Sequence, residues 1–92
     1  MYSNFLLGSL HVSDAARIKL KRLPLDLIAR HAVNDHGQLT RLEVKRNRQN
    51  MALVGPILSR YSVDPTDPTQ GRVVVITDEM WESTIVKLES ET

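Results

Sequence analysis

The sequence predicts an α+β domain in which two or three N-terminal helices pack on a three- to four-stranded antiparallel sheet, in two layers. Three observations carry this. Apolar residues recur at helical spacing up to Gly55-Pro56. Beyond it comes the β-branched run Val73-Val74-Val75-Ile76, a strand buried on both faces. Between the two, Asp64–Gly71 reads DPTDPTQG and is a loop joining strands.

Residues 5–10 are an apolar lead-in or an edge strand. Ser13 then offers an N-cap, with Asp14 in the first turn and Val12 packing ahead of it. Ala15, Ala16, Ile18 and Leu20 make an imperfect apolar face. Pro24 ends that helix and suits the start of the next. There Leu25, Ile28, Ala29 and Ala32 fall at i, i+3, i+4, i+7, and Gly37 is the expected stop. Thr40 and Glu43 have the spacing of a capping box, opening a third helix over residues 41–54. That helix is the most polar element. Strands are expected at 57–63, 72–77 and 83–88, with a turn at 78–82. Apolar helix faces would cover one side of the sheet, leaving its other side or its edge open to a partner strand.

Ninety-two residues make one domain, 1–92, with 1–4 and 89–92 expected to fray. The absence of cysteine excludes disulfides, thiolate nucleophiles and cysteine-ligated zinc. Phe5-Leu6-Leu7 is too short an apolar run, with no basic residue before it, for a signal or a membrane span. A cytoplasmic protein with no membrane contact is the expectation. The net charge of +1 hides a dipole: residues 1–60 carry ten Lys/Arg against four acids, and residues 61–92 two against seven. Arg17, Lys21, Arg41, Lys45 and Arg48 therefore point to nucleic acid or an acidic protein as partner, with Lys19, Arg22 and Arg46 adding to the basic set and Tyr61 and Trp81 as aromatic anchors. The set lacks aromatic interleaving and matches no helix-turn-helix or RNA-binding motif.

No serine sits in a nucleophile elbow and no glycine-rich loop cradles a phosphate, so no cofactor is implied. His31 and His36 are five residues apart, on different sides of a helix, which makes a poor metal site even with Asp35; no metal is expected. His31 stands on the shoulder of an apolar face. It is either a general base or a ring filling the groove between helix and sheet and bonding a backbone carbonyl. Ser59 and Tyr61 share one strand face, with Arg60 opposite. Trp81 is either a partner anchor or a lid over the end of the core.

Two stretches carry a family resemblance. LPLDLIARHAVNDHGQL over Leu23–Leu39 is similar to a PLDFLARH segment followed by a GDWGEL-like turn, matched at Pro24, Leu25, Asp26, Leu27, Ala29, Arg30, His31, Asp35 and Gly37. Ile57, Leu58, Ser59 and Tyr61 match an ILSAY-like strand. Gly71, Val75, Ile76, Thr77, Ser83, Thr84 and Leu88 follow a G-x-x-x-W-I-I-T then S-x-T-x-x-L pattern. The chain thus resembles a family of short plasmid- and mobile-element-borne proteins without an established activity, often labelled as the modification subunit of a type I restriction enzyme. His36 stands at the tryptophan position of the turn, and Met80-Trp81-Glu82 replaces an acid-Arg pair. The methyltransferase label does not suit this chain, which has neither a cofactor-binding α/β sheet nor an Asn/Asp-Pro-Pro-aromatic motif. The resemblance implies an accessory protein of a mobile element.

The leading expectation is a non-enzymatic binding module for nucleic acid or a host protein. The alternative is a small RelE- or colicin-like ribonuclease, with His31 as base, Arg30 or Arg72 opposing phosphorane charge, and Ser59 or Thr84 positioning phosphate. A homodimer paired sheet to sheet is a third expectation.

Overall fold

The computed structural model describes residues 5–92. The expected fraying of residues 1–4 lies outside them. In chain order come β1 (Ser9–Val12), α1 (Asp14–Leu20), α2 (Leu25–Ala32), α3 (Arg41–Leu53), β2 (Ile57–Ser62), β3 (Arg72–Thr77) and β4 (Ser83–Leu88), with short 3-10 turns at Pro68–Gln70, Glu79–Trp81 and Glu89–Glu91. The α+β class holds.

The sheet is mixed, which corrects the expectation of a purely antiparallel one. Its order is β1-β4-β3-β2. β2, β3 and β4 form an antiparallel meander, while β1 lies parallel to β4 with Leu10 opposite Thr84 and Val12 opposite Val86. A strand therefore precedes all three helices. Gly8 makes this pairing possible: at φ +65° it lies so close to β4 that a Cβ would come within 2.0 Å of the Glu82 carbonyl oxygen. The Ser9 and Ser13 amides then donate to the carbonyls of Glu82 and Val86.

The local signals explain the helices. The Ser13 hydroxyl accepts from the Ala16 amide, and Thr40 with Glu43 closes a reciprocal capping box on α3. α2 stops at Ala32, five residues before Gly37. The chain reverses through Asn34 at φ +63°, a residue that tolerates the left-handed region. Gly37, at φ +70°, instead docks on β2 through a parallel bridge to Arg60, where a Cβ would sit 2.1 Å from the Arg60 carbonyl oxygen and 2.7 Å from the Tyr61 ring.

One face of the sheet points Ile57, Ser59, Tyr61, Val73, Val75, Thr77, Thr84 and Val86 inward, all buried, and α1 and α2 cover it. Leu27 and Ile28 of α2 join Tyr61, Val73, Val75 and Val86 in the core. α3 lies along the outer edge of β2 and is held by polar groups, since its one buried residue is Asn47. The Asn47 amide substitutes for a neighbouring strand: Oδ1 accepts from the Leu58 amide at 2.9 Å and Nδ2 donates to the Leu58 carbonyl at 2.7 Å. Asn50 Nδ2 donates to the Pro56 carbonyl, the Arg60 amide donates to the His36 carbonyl, and the Gln38 amide donates to the Arg60 carbonyl. The β2 edge is thus satisfied within the chain and is closed to strand pairing.

Candidate functional site

The inward face of a strand is ordinarily apolar, yet Ser59, Thr77 and Thr84 all stand on it, buried. His31, on the inward side of α2 and fully buried, bonds Ser59 and Thr77, and Thr77 in turn bonds Thr84. Register explains the meeting: Thr77 pairs with Ile57 on one side and Thr84 on the other, with Ser59 two residues further along β2.

The chain of hydrogen bonds has one direction. It ends on the Leu7 carbonyl, which only accepts, so Thr84 Oγ1 donates to it at 2.7 Å. Thr84 Oγ1 must then accept from Thr77 Oγ1 at 2.7 Å, and Thr77 Oγ1 accepts from His31 Nε2–H at 2.8 Å. His31 is thereby assigned its Nε2–H tautomer, and its Nδ1 accepts from the Ser59 hydroxyl at 2.6 Å. Ser59 Oγ in turn accepts from His36 Nδ1–H at 2.6 Å. The far nitrogen of His36 faces Asn34 Oδ1 at 3.2 Å. This acceptor suits a charged ring; with a neutral ring the Asn34 amide turns over to donate. The series thus runs from a half-buried imidazole at the 34–37 turn, through the core, to the N-terminal segment.

Burial, followed by the charge of His36, pushes the His31 pKa down to about 3. His36 is also lowered by burial, partly offset by Asp35. Both rings are neutral at pH 7. Phe5 seals His31 with an edge-on contact at 5.2 Å and itself packs against Trp81 at 5.6 Å. A ring so enclosed has no path to a substrate. It can hold other groups in place.

The remaining ribonuclease candidates do not join this cluster. Arg30 immediately precedes His31 but points outward, bonding Asp35 bidentately at 2.7 and 3.2 Å and covering the Tyr61 ring at 4.5 Å. That pairing holds the Asp35 carboxyl below its ordinary value. Arg72 stands five residues along β3 from Thr77, roughly 17 Å away at about 3.3 Å per residue, and on the opposite face. It pairs with Glu89 at 2.9 Å. His31, Ser59 and Thr84 converge; Thr77 and His36 complete the chain.

Compared with protein-family models, curated proteins and solved structures, the chain matches none of them.

Tyr61 and Trp81, the expected aromatic anchors, are both engaged. Tyr61 is buried and donates its hydroxyl to the Asp35 carbonyl at 2.6 Å, while Trp81 Nε1 donates to the Gly55 carbonyl at 2.9 Å. The basic set is divided. Arg17 pairs with Asp14, Arg22 with Asp26, and Lys21 caps α1 in the left-handed conformation. α1 packs over β4, whereas α3 flanks β2 two strands away, so the two basic helices occupy different ends of the sheet. On α3, Arg41, Lys45, Arg46 and Arg48 are exposed, and among the described residues none meets a carboxylate. The single acid of α3, Glu43, is committed to Arg60, bonding it through both oxygens at 2.8 Å. That contact pulls the Glu43 pKa down to about 2. Arg60 Nε also lies 2.6 Å from Glu89 Oε2, an ionic contact that is not aligned as a hydrogen bond.

Among the described residues no three of His, Cys, Asp or Glu cluster as metal ligands, and no helix is long and apolar enough to cross a membrane.

Proposed function

We infer that the protein is a non-enzymatic nucleic-acid-binding module whose contact element is α3. The observation that carries this reading is the row Arg41, Lys45 and Arg48 at helical spacing: exposed, clear of the helix's one carboxylate, and joined by Arg46. Four cations within eight residues repel one another, which costs α3 stability as a lone helix. A polyanion relieves that repulsion. Contacts of this kind go to phosphates and carry affinity without sequence information. The resemblance to plasmid-borne proteins supports an accessory role for such a module in a mobile element. A ribonuclease reading with His31 as base draws no support from a neutral ring sealed under Phe5.

Fluorescence anisotropy with a labelled oligonucleotide at about 50 mM salt tests the reading. Wild-type protein is expected to bind in the micromolar range, and Arg41→Ala/Lys45→Ala/Arg48→Ala to bind at least roughly tenfold more weakly. Equal binding by the triple variant overturns α3 as the contact element.

A further inference from the structure

Beside the basic row, a cleft of about 270 Å³ opens between α3 and the 34–37 turn, lined by Asn34, His36, Val44, Asn47, Arg48 and Met51. Its composition is unlike that of the rest of the basic surface. Val44 and Met51 give it apolar walls although it opens to solvent. Val44 is 45% exposed, one of three large apolar residues of α3 that face water, with Leu42 and Leu53. His36 and Arg48 supply an imidazole and a guanidinium, the two kinds of non-benzenoid plane on which unpaired bases stack. The volume falls just below the range of about 300–1,000 Å³ that holds drug-sized ligands, and so suits a smaller fragment such as one nucleobase.

The buried chain then has a purpose. Asn47 spends both amide atoms on Leu58 and fixes the floor of the cleft. His36 cannot swing freely, because its Nδ1–H is tied to Ser59, whose own proton is committed to His31, and so on to the Leu7 carbonyl. A surface imidazole with its rotation already restricted loses less entropy when a base stacks on it. Arg48 belongs both to the cleft and to the Arg41–Lys45–Arg48 row, so a strand following the row by its phosphates passes the mouth of the cleft.

We propose that this cleft takes one unstacked base of a single-stranded nucleic acid against His36, with the adjoining phosphates on Lys45 and Arg48. The proposal rests on α3 as the nucleic-acid contact. His31 and Ser59 are positioning residues for the His36 ring. A duplex, with its bases stacked inside, can use the basic row but not the cleft.

The test is anisotropy on the full chain with single-stranded DNA and RNA ten-mers and with a duplex of equal length. The variants are His36→Ala and Val44→Gln; the latter removes an apolar wall while keeping charge and helix. Thermal unfolding of each confirms the fold. Wild type is expected to favour single strands by roughly tenfold. His36→Ala should lose roughly five- to hundredfold on single strands, the range for removal of one stacking contact, and Val44→Gln should lose more than about twofold, with duplex affinity unchanged in both. Single-strand affinity within twofold of wild type in both variants, or no preference over duplex, overturns the base site. If duplex and single strand then both weaken only in the Arg41→Ala/Lys45→Ala/Arg48→Ala protein, the α3 reading survives without it. Wild type that binds neither nucleic acid sinks both.

Discussion

At the scale of single residues, the determining feature is a polar chain inside a small core, in which every proton has one place. Such a chain stabilises only while complete. Thr84→Val keeps the side-chain shape but removes the donor to the Leu7 carbonyl and the acceptor for Thr77. It is expected to cost about 1–3 kcal/mol, read as a lower urea midpoint with unchanged m-value. The chain also couples folding to pH. His31 titrates near 6.5 when unfolded but is pushed to about 3 in the fold, and His36 is shifted in the same direction. The unfolded state therefore binds protons first on acidification. This part of the stability is complete above pH 6.5 and is lost as pH falls towards 3, at up to about 1.4 kcal/mol per pH unit from His31 alone. Glu43, lowered from 4.5 to about 2, adds its own loss only below 4.5. Urea midpoints between pH 7 and 5 thus isolate the histidines, and His31→Gln should flatten that slope. An unchanged slope in His31→Gln contradicts the assignment.

At the scale of elements, α3 shows how a helix with little apolar surface is retained. Its caps, its Glu43–Arg60 contact and the Asn47 amide replace a hydrophobic stripe. Asn47→Leu leaves the Leu58 N–H and C=O without partners on the edge of β2 and is expected to destabilise by about 2–6 kcal/mol, since each unsatisfied group costs about 1–3. With that edge uncovered, the variant is also expected to self-associate in light scattering. Much of this level was legible in the sequence. Ser13, Thr40-Glu43, the Val73–Ile76 run and the boundaries at Gly55-Pro56 encode their elements locally. An edge strand is one of the two readings of residues 5–10, and β1 at Ser9–Val12 is an edge strand; its parallel direction was not legible, because its partner Thr84 lies 74 positions from Leu10 and nothing local marks strand direction. The end of α2 was misplaced because Asn34 reverses the chain before Gly37, and Gly37 answers to a close approach from Arg60. For the candidate site, His31, Ser59 and Thr84 stood out as polar residues at inward positions. Thr77 carries the same signal, but it closes the apolar run Val73–Ile76 and reads as the end of that strand. The reach of His36 to Ser59 depends on the turn between them, which no spacing rule specifies.

For the whole molecule, charge divides along the chain, basic up to residue 60 and acidic beyond it. Seven acids beyond residue 60 face two cations in that half, and Glu89 is drawn back onto Arg60 and Arg72. The densest run of cations without a carboxylate partner lies on α3, at the edge where the buried chain reaches the surface through His36. Structure and surface therefore meet at one corner: the core fixes a ring, and the neighbouring helix supplies the cations. Binding through α3 requires first that those cations touch phosphate. The most direct measurement is the salt dependence of binding to a labelled single strand, for wild type and for the Arg41→Ala/Lys45→Ala/Arg48→Ala protein. Three phosphate contacts predict a log–log slope near −2 for wild type, from about −0.7 per contact, and a slope close to zero once the three side chains are removed. A wild-type affinity that ignores salt, or a slope that survives the triple substitution, would contradict it.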